Sequence, residues 1–173
     1  MAETLEKMET MALGIVLERR HSHSPWQEWI WRPVAVIPGA PPVEGDWRLL
    51  RESDDWAQFH AATLPLELHR SDTDGYRLNL SQEPPRLWVA LRRDEEGDPG
   101  TMVPFFVTAS AHECEVYQVS GQEVVETVPM PPEVLALLRD FVEQHHVDVP
   151  FEKRERKRHH DPDRPDRSGR RPA

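Results

Sequence analysis

The sequence predicts a β-rich α+β fold: a mainly antiparallel meander or a partly open small barrel with two short helices, the longer one near the C-terminus. Three observations carry this. Apolar residues alternate at period two in block after block, as in strands with one solvated face. Segments rich in proline, glycine and short polar residues separate the blocks. One amphipathic stripe at three- and four-residue spacing appears late in the chain.

The first predicted strand, 13–19, is the run Leu13-Gly14-Ile15-Val16-Leu17 leading into charge. The second, 29–37, places Trp29 and Trp31 on one face and Ile30 on the other before a β-branched run. Pro38-Gly39-Ala40-Pro41-Pro42 and Gly45-Asp46 turn the chain into a strand at 47–51, and a long strand at 56–68 follows. Pro65 lies inside that strand and cannot donate to a ladder, so the segment is an edge strand, a bulge or two shorter strands. After the turn Ser71-Asp72-Thr73-Asp74-Gly75, the alternation of Tyr76, Leu78 and Leu80 predicts a strand over 76–81. Strands at 87–92, 104–108 and 123–128 are separated by the Glu95-to-Gly100 turn and by a short helix. Ser110-Ala111-His112-Glu113 reads as that helix's capping box, with the Ser110 hydroxyl serving the Glu113 N–H, the Glu113 carboxylate reaching back, and Gly121 as the stop. The longer helix opens at Pro131-Pro132-Glu133 and carries Val134, Leu135, Leu138, Phe141, Val142 and His145 on one stripe.

With 173 residues, one core is expected. Residues 1–10 read as a flexible extension, 11–151 as a single globular domain, and 152–173 as a disordered basic tail without a large aliphatic residue. The net charge of −10 hides an asymmetry: residues 150–173 hold nine Lys or Arg against five Asp or Glu, so the rest of the chain is strongly acidic. An acidic body disfavours nucleic acid and anionic membranes. The apolar run 11–17 is too short for a membrane span and lacks a basic flank, so neither a signal peptide nor a membrane partner is expected. A single cysteine, Cys114, cannot form an intramolecular disulfide, which suits a reduced cytoplasm.

No catalytic residue is assigned. There is no Gly-x-Ser-x-Gly elbow and no glycine-rich phosphate loop, and the carboxylate groups, including Glu113 with Glu115, read as solvated turns and helix caps. The pairs His21 with His23, His112 with Cys114, His145 with His146 and His159 with His160 lack zinc-ligand spacing, so no metal or cofactor is expected. Cys114 reads as a small core residue. The candidate contact residues are Trp26, Trp29 and Trp31, which either cover a sheet core or face a partner, and Lys153, Arg154, Arg156, Lys157 and Arg158 in the tail.

The blocks Leu13-Gly14-Ile15-Val16-Leu17-Glu18-Arg19-Arg20, Ser24-Pro25-Trp26-Gln27-Glu28-Trp29-Ile30-Trp31-Arg32-Pro33, His60-Ala61-Ala62-Thr63-Leu64-Pro65 and Val128-Pro129-Met130-Pro131-Pro132 resemble a bacterial family catalogued as domain of unknown function 3305. The likeness spans about residues 13–160. It implies genes placed beside molybdenum-dependent formate dehydrogenase components, and hence a protein partner in the maturation or operation of that enzyme. The resemblance also brings a molybdopterin-guanine dinucleotide biosynthesis label. The nucleotidyltransferase of that pathway has a glycine-rich N-terminal loop, whereas residues 13–18 hold one glycine. The expected function is therefore a non-catalytic accessory or assembly protein. The alternative is a nucleotide-handling enzyme using Arg19, Arg20, His60, His69 and Arg70 to hold phosphates.

Overall fold

A computed structural model describes residues 8–98 and 100–147. Seven strands form two antiparallel sheets. In the first, β1 (Glu9–His21), β2 (Trp29–Pro38), β3 (Arg48–Glu52) and β4 (Trp56–Leu68) take the order β2-β1-β4-β3. In the second, β5 (Arg86–Arg93), β6 (Met102–Thr108) and β7 (Val124–Pro129) take the order β6-β5-β7. The sheets adjoin along two seams, β4 against β6 and β2 against β7, without closing into a barrel. Three helices complete the fold: α1 (Thr73–Leu80), α2 (Ala111–Ser120) and α3 (Pro132–His145), the longest and nearest the C-terminus. No described helix is long and apolar enough to cross a membrane.

The core follows from period-two side-chain placement. Leu13, Ile15 and Leu17 of β1 and Leu87, Val89 and Leu91 of β5 are fully buried in one apolar cluster. Val134, Leu138 and Phe141 bring the α3 stripe onto that cluster, and Phe141 meets the buried Tyr76 ring edge-on at 6.0 Å. Chain irregularities fall where β1 stays regular. Its ladder skips Val34 in β2 and Ala61 in β4, so the neighbours carry the bulges. Gly14 lies where a Cβ would come within 2.7 Å of Ala40 Cβ and 2.8 Å of His60 Nε2. Pro65 pairs with Ala12 beyond the end of β3, which reaches only Ala57 to His60, so its missing N–H faces no ladder partner. That edge position is one of the three arrangements its proline allows.

The strand expected over 76–81 is instead helical. Tyr76, Leu78 and Leu80 alternate, but Leu78 is 66% exposed, and the buried positions Thr73, Tyr76 and Asn79 recur every three residues. Distant partners hold that arrangement. Tyr76 Oη accepts from the His69 N–H at 2.9 Å. Asn79 Nδ2 donates to the carbonyls of Arg86 at 2.7 Å and Ala109 at 2.8 Å, and its Oδ1 accepts from the Arg86 N–H at 2.9 Å. A 3-10 turn, Arg70–Asp72, leads into α1, so the described residues hold three helices and not two. At the N-terminal end, β1 begins at Glu9, and Glu9 and Thr10 are paired with Leu68 and Glu67 of β4. The remaining strands start and stop within two residues of expectation.

Candidate functional site

A cleft of about 540 Å³ lies at one end of the sandwich, where β1, β2 and the β5–β6 hairpin meet. Trp26, Trp29, Trp31 and Arg19 line one side, and Arg93, Asp98, Thr101 and Met102 the other. The register explains the aromatic wall. Arg19 stands opposite Trp31 and His21 opposite Trp29 on the antiparallel pair, so the face that buries Leu13, Ile15 and Leu17 runs out into arginine and indole. Arg19 packs its guanidinium over Trp29 at 4.4 Å and over Phe59 at 5.3 Å. Trp31 meets Trp47 edge-on at 5.5 Å and Phe59 at 6.2 Å. The three sequence-predicted tryptophans are thus brought to one site but differ in role. Trp31 is half-buried against the core, Trp29 is half-buried under Arg19, and Trp26 is 93% exposed.

Two donors in this cleft are unsatisfied. Arg19 Nε and Trp31 Nε1 are buried atoms with no hydrogen-bond partner among the described residues. A buried N–H without an acceptor costs about 1–3 kcal/mol. Charge in the cleft is balanced, with Arg19 and Arg93 against Glu28 and Asp98. The cleft presents indole faces on which a ligand can stack.

The other residues singled out in the sequence have separate fates. Lys153, Arg154, Arg156, Lys157 and Arg158 lie outside the described residues. Arg20 pairs with Glu18 at 3.2 Å, while Glu18 also accepts from Gln58 at 2.9 Å. His60 bonds Thr63 Oγ1 at 2.9 Å, and His69 lies 3.6 Å from Glu67. Arg19, Arg20, His60 and His69 are thus each engaged with a different neighbour. No group of three or more His, Cys, Asp or Glu with metal-binding geometry exists among the described residues. Cys114 is completely buried, and burial, reinforced by the charge of Glu113, pushes its thiol up to about 12, so it stays a protonated core residue.

The expected capping box does not form. Ser110 is the N-cap of α2, but its side chain makes no capping hydrogen bond, and the Glu113 N–H reaches only the Ser110 carbonyl at 3.2 Å. Gly121, at φ +71°, does end the helix. Glu113 turns away from the cap and toward Asp72. Its carboxyl is pushed up to about 8, first by burial, then by the hydrogen bond with Asp72 and the Asp72 charge, against a smaller lowering effect of Thr108. Glu113 is therefore not the solvated helix-cap carboxylate that its spacing suggests. Its one sequence signal is position: it immediately precedes the buried Cys114, inside a helix whose N-terminal flank is the buried Val107-to-Ser110 segment.

Neither a comparison with curated proteins nor one with solved structures found a match. The model of one protein family, described as "Protein of unknown function (DUF3305)", matches residues 12–156. That match spans both sheets, all three helices and the tryptophan cleft, and the chain belongs to the DUF3305 family.

Proposed function

We propose that this protein is a non-catalytic binding module that takes a segment of a protein partner in its tryptophan cleft, and that the partner is a component of a molybdenum-dependent formate dehydrogenase. The cleft carries the binding half of this reading. An indole left 93% exposed beside two buried, unpartnered N–H donors favours an occupant that brings apolar surface and a hydrogen-bond acceptor together. An extended peptide has both. The dehydrogenase half rests on the family resemblance and its gene neighbourhood.

Copurification from a bacterial host carrying both genes tests the two halves. Wild-type protein is expected to retain a dehydrogenase component. Trp26→Ala, which removes a side chain in water, is expected to lose it with the melting temperature unchanged. Retention of the component by Trp26→Ala and by Trp29→Ala would reject the cleft. Recovery of no dehydrogenase component with the wild type would reject the partner.

A further inference from the structure

The outer face of the four-stranded sheet, turned away from the apolar cluster, gathers positive charge at the end that β3 spans. Residues directly opposite one another on antiparallel strands share a face, so the register assigns it. Arg32 of β2, Glu18 of β1, Gln58 of β4 and Arg51 of β3 form one row across all four strands, and Arg20 and Arg48 stand in the rows on either side. All four arginines are exposed. Residues 1–149 hold 26 Asp or Glu against 12 Lys or Arg, yet this half of the face carries four Arg and one Glu. The segregation runs against the charge of the body around it.

Two bulges aim the charge outward. The β3–β4 register skips Leu50, so Arg51 stands opposite Gln58; without the extra residue it would oppose Ala57 and point inward. Val34, skipped in β2, does the same for Arg32, which would otherwise share the inner face with Leu17. The one carboxylate on this half is already engaged, since Glu18 accepts from Arg20 Nε at 3.2 Å and from Gln58 Nε2 at 2.9 Å. Arg32, Arg48 and Arg51 make no ion pair and no side-chain hydrogen bond among the described residues. Glu52 follows Arg51 but takes the opposite face, and Asp54 and Asp55 lie in the turn beyond the end of the strands. Like charges left together in this way repel one another, and a partner that brings carboxylates removes the repulsion.

We propose that this face docks an acidic segment of a protein partner, its carboxylates taken by the guanidinium forks of Arg32, Arg48 and Arg51. Arg32 and Arg51 are three strand spacings apart, about 14 Å, and carboxylates four residues apart on one side of an extended segment span about the same distance. The complementarity is local, which selects a short acidic segment over a nucleic acid: the chain's net charge of −10 repels a long polyanion. Trp56, the aromatic ring opposite Arg20, is half-buried and offers no free face for a base to stack on. Trp31 and Arg32 are consecutive in β2 and point to opposite sides of the sheet, so this surface and the tryptophan cleft are separate and the inference is independent of the cleft reading.

Fluorescence anisotropy of a fluorescein-labelled decaglutamate peptide, titrated with the full chain at about 20 mM salt, tests it. The reference protein is the full chain with Lys153→Gln, Arg154→Gln, Arg156→Gln, Lys157→Gln and Arg158→Gln combined, so that the tail does not compete for the probe. Saturable binding is expected, and it should disappear at about 0.3 M salt. Adding Arg32→Gln, Arg48→Gln and Arg51→Gln together is expected to weaken binding by at least about tenfold without lowering the melting temperature, because all three side chains lie in water. The proposal is overturned if the reference protein does not bind the peptide, or if it binds equally well after the three arginine substitutions. Tighter binding of decathymidylate than of decaglutamate, lost on the same three substitutions, would overturn it in favour of a nucleic acid. Binding to phosphatidylserine vesicles without binding to decaglutamate would overturn it in favour of a membrane.

Discussion

Replacing Glu113 by glutamine should flatten the pH dependence of stability. In the folded protein the Glu113 carboxyl is held at about 8 against an ordinary value of 4.5. Because the folded value is the higher, this group's contribution is fully present below pH 4.5. It declines as the unfolded chain ionises while the folded one keeps its proton, and it is gone once pH passes about 8. Taken whole, that displacement is worth roughly 5 kcal/mol. Glu113 lines a groove between β4 and β6 and is partly solvated, which reduces the expectation to about 2 kcal/mol. The measurement is urea unfolding of wild type and Glu113→Gln at intervals between about pH 4.5 and 9. The wild type should lose about 2 kcal/mol relative to the variant across that range, so that the variant is the more stable protein at the alkaline end. A stability difference independent of pH would refute the buried, proton-sharing arrangement. A difference that grew in the opposite sense would show Glu113 stabilised as a carboxylate.

Asn79→Ala removes three hydrogen bonds that fix α1 to the entry of β5 and the end of β6, leaving the Ala109 carbonyl and the Arg86 N–H in need of partners. Chemical denaturation should show a loss of about 2–4 kcal/mol. Gly14→Ala drives a methyl group against the Ala40 Cβ and the His60 ring, and a fall of about 1–3 kcal/mol is expected, with the melting temperature as the readout. Trp31→Ala, unlike Trp26→Ala, should cost about 2–3 kcal/mol by the same measurement, because it opens a space against Trp47 and Phe59.

Strand placement is legible in the sequence wherever local pattern and tertiary environment agree. Alternation alone bounds β4 at Trp56 and Leu68, and α3 is recognisable because a proline start and a single apolar stripe specify the same helix. α1 misleads for the opposite reason. Its side chains satisfy a period of two and a period of three over only eight residues, and the choice between them is made by Asn79 reaching Ala109, 30 positions away. The aromatic half of the cleft is visible as composition, and its far wall is not, since Arg93, Asp98, Gly100, Thr101 and Met102 arrive there through sheet packing. Glu113 resists assignment because Ser110 and Glu113 have capping-box spacing, while the partner that redirects the carboxylate, Asp72, belongs to another part of the chain.

β1 is flanked along most of its length by β2 on one side and β4 on the other, yet only β2 follows it directly in the chain. During synthesis a hairpin can form at once, but the second flank of β1 stays open until β4 has left the ribosome. The apolar side of both strands then waits longer still, for β5 and finally for Phe141 of α3. Such an order places the burden of nascent-chain protection on the first third of the protein, where an unpaired strand rich in leucine and isoleucine would otherwise find neighbours on other chains.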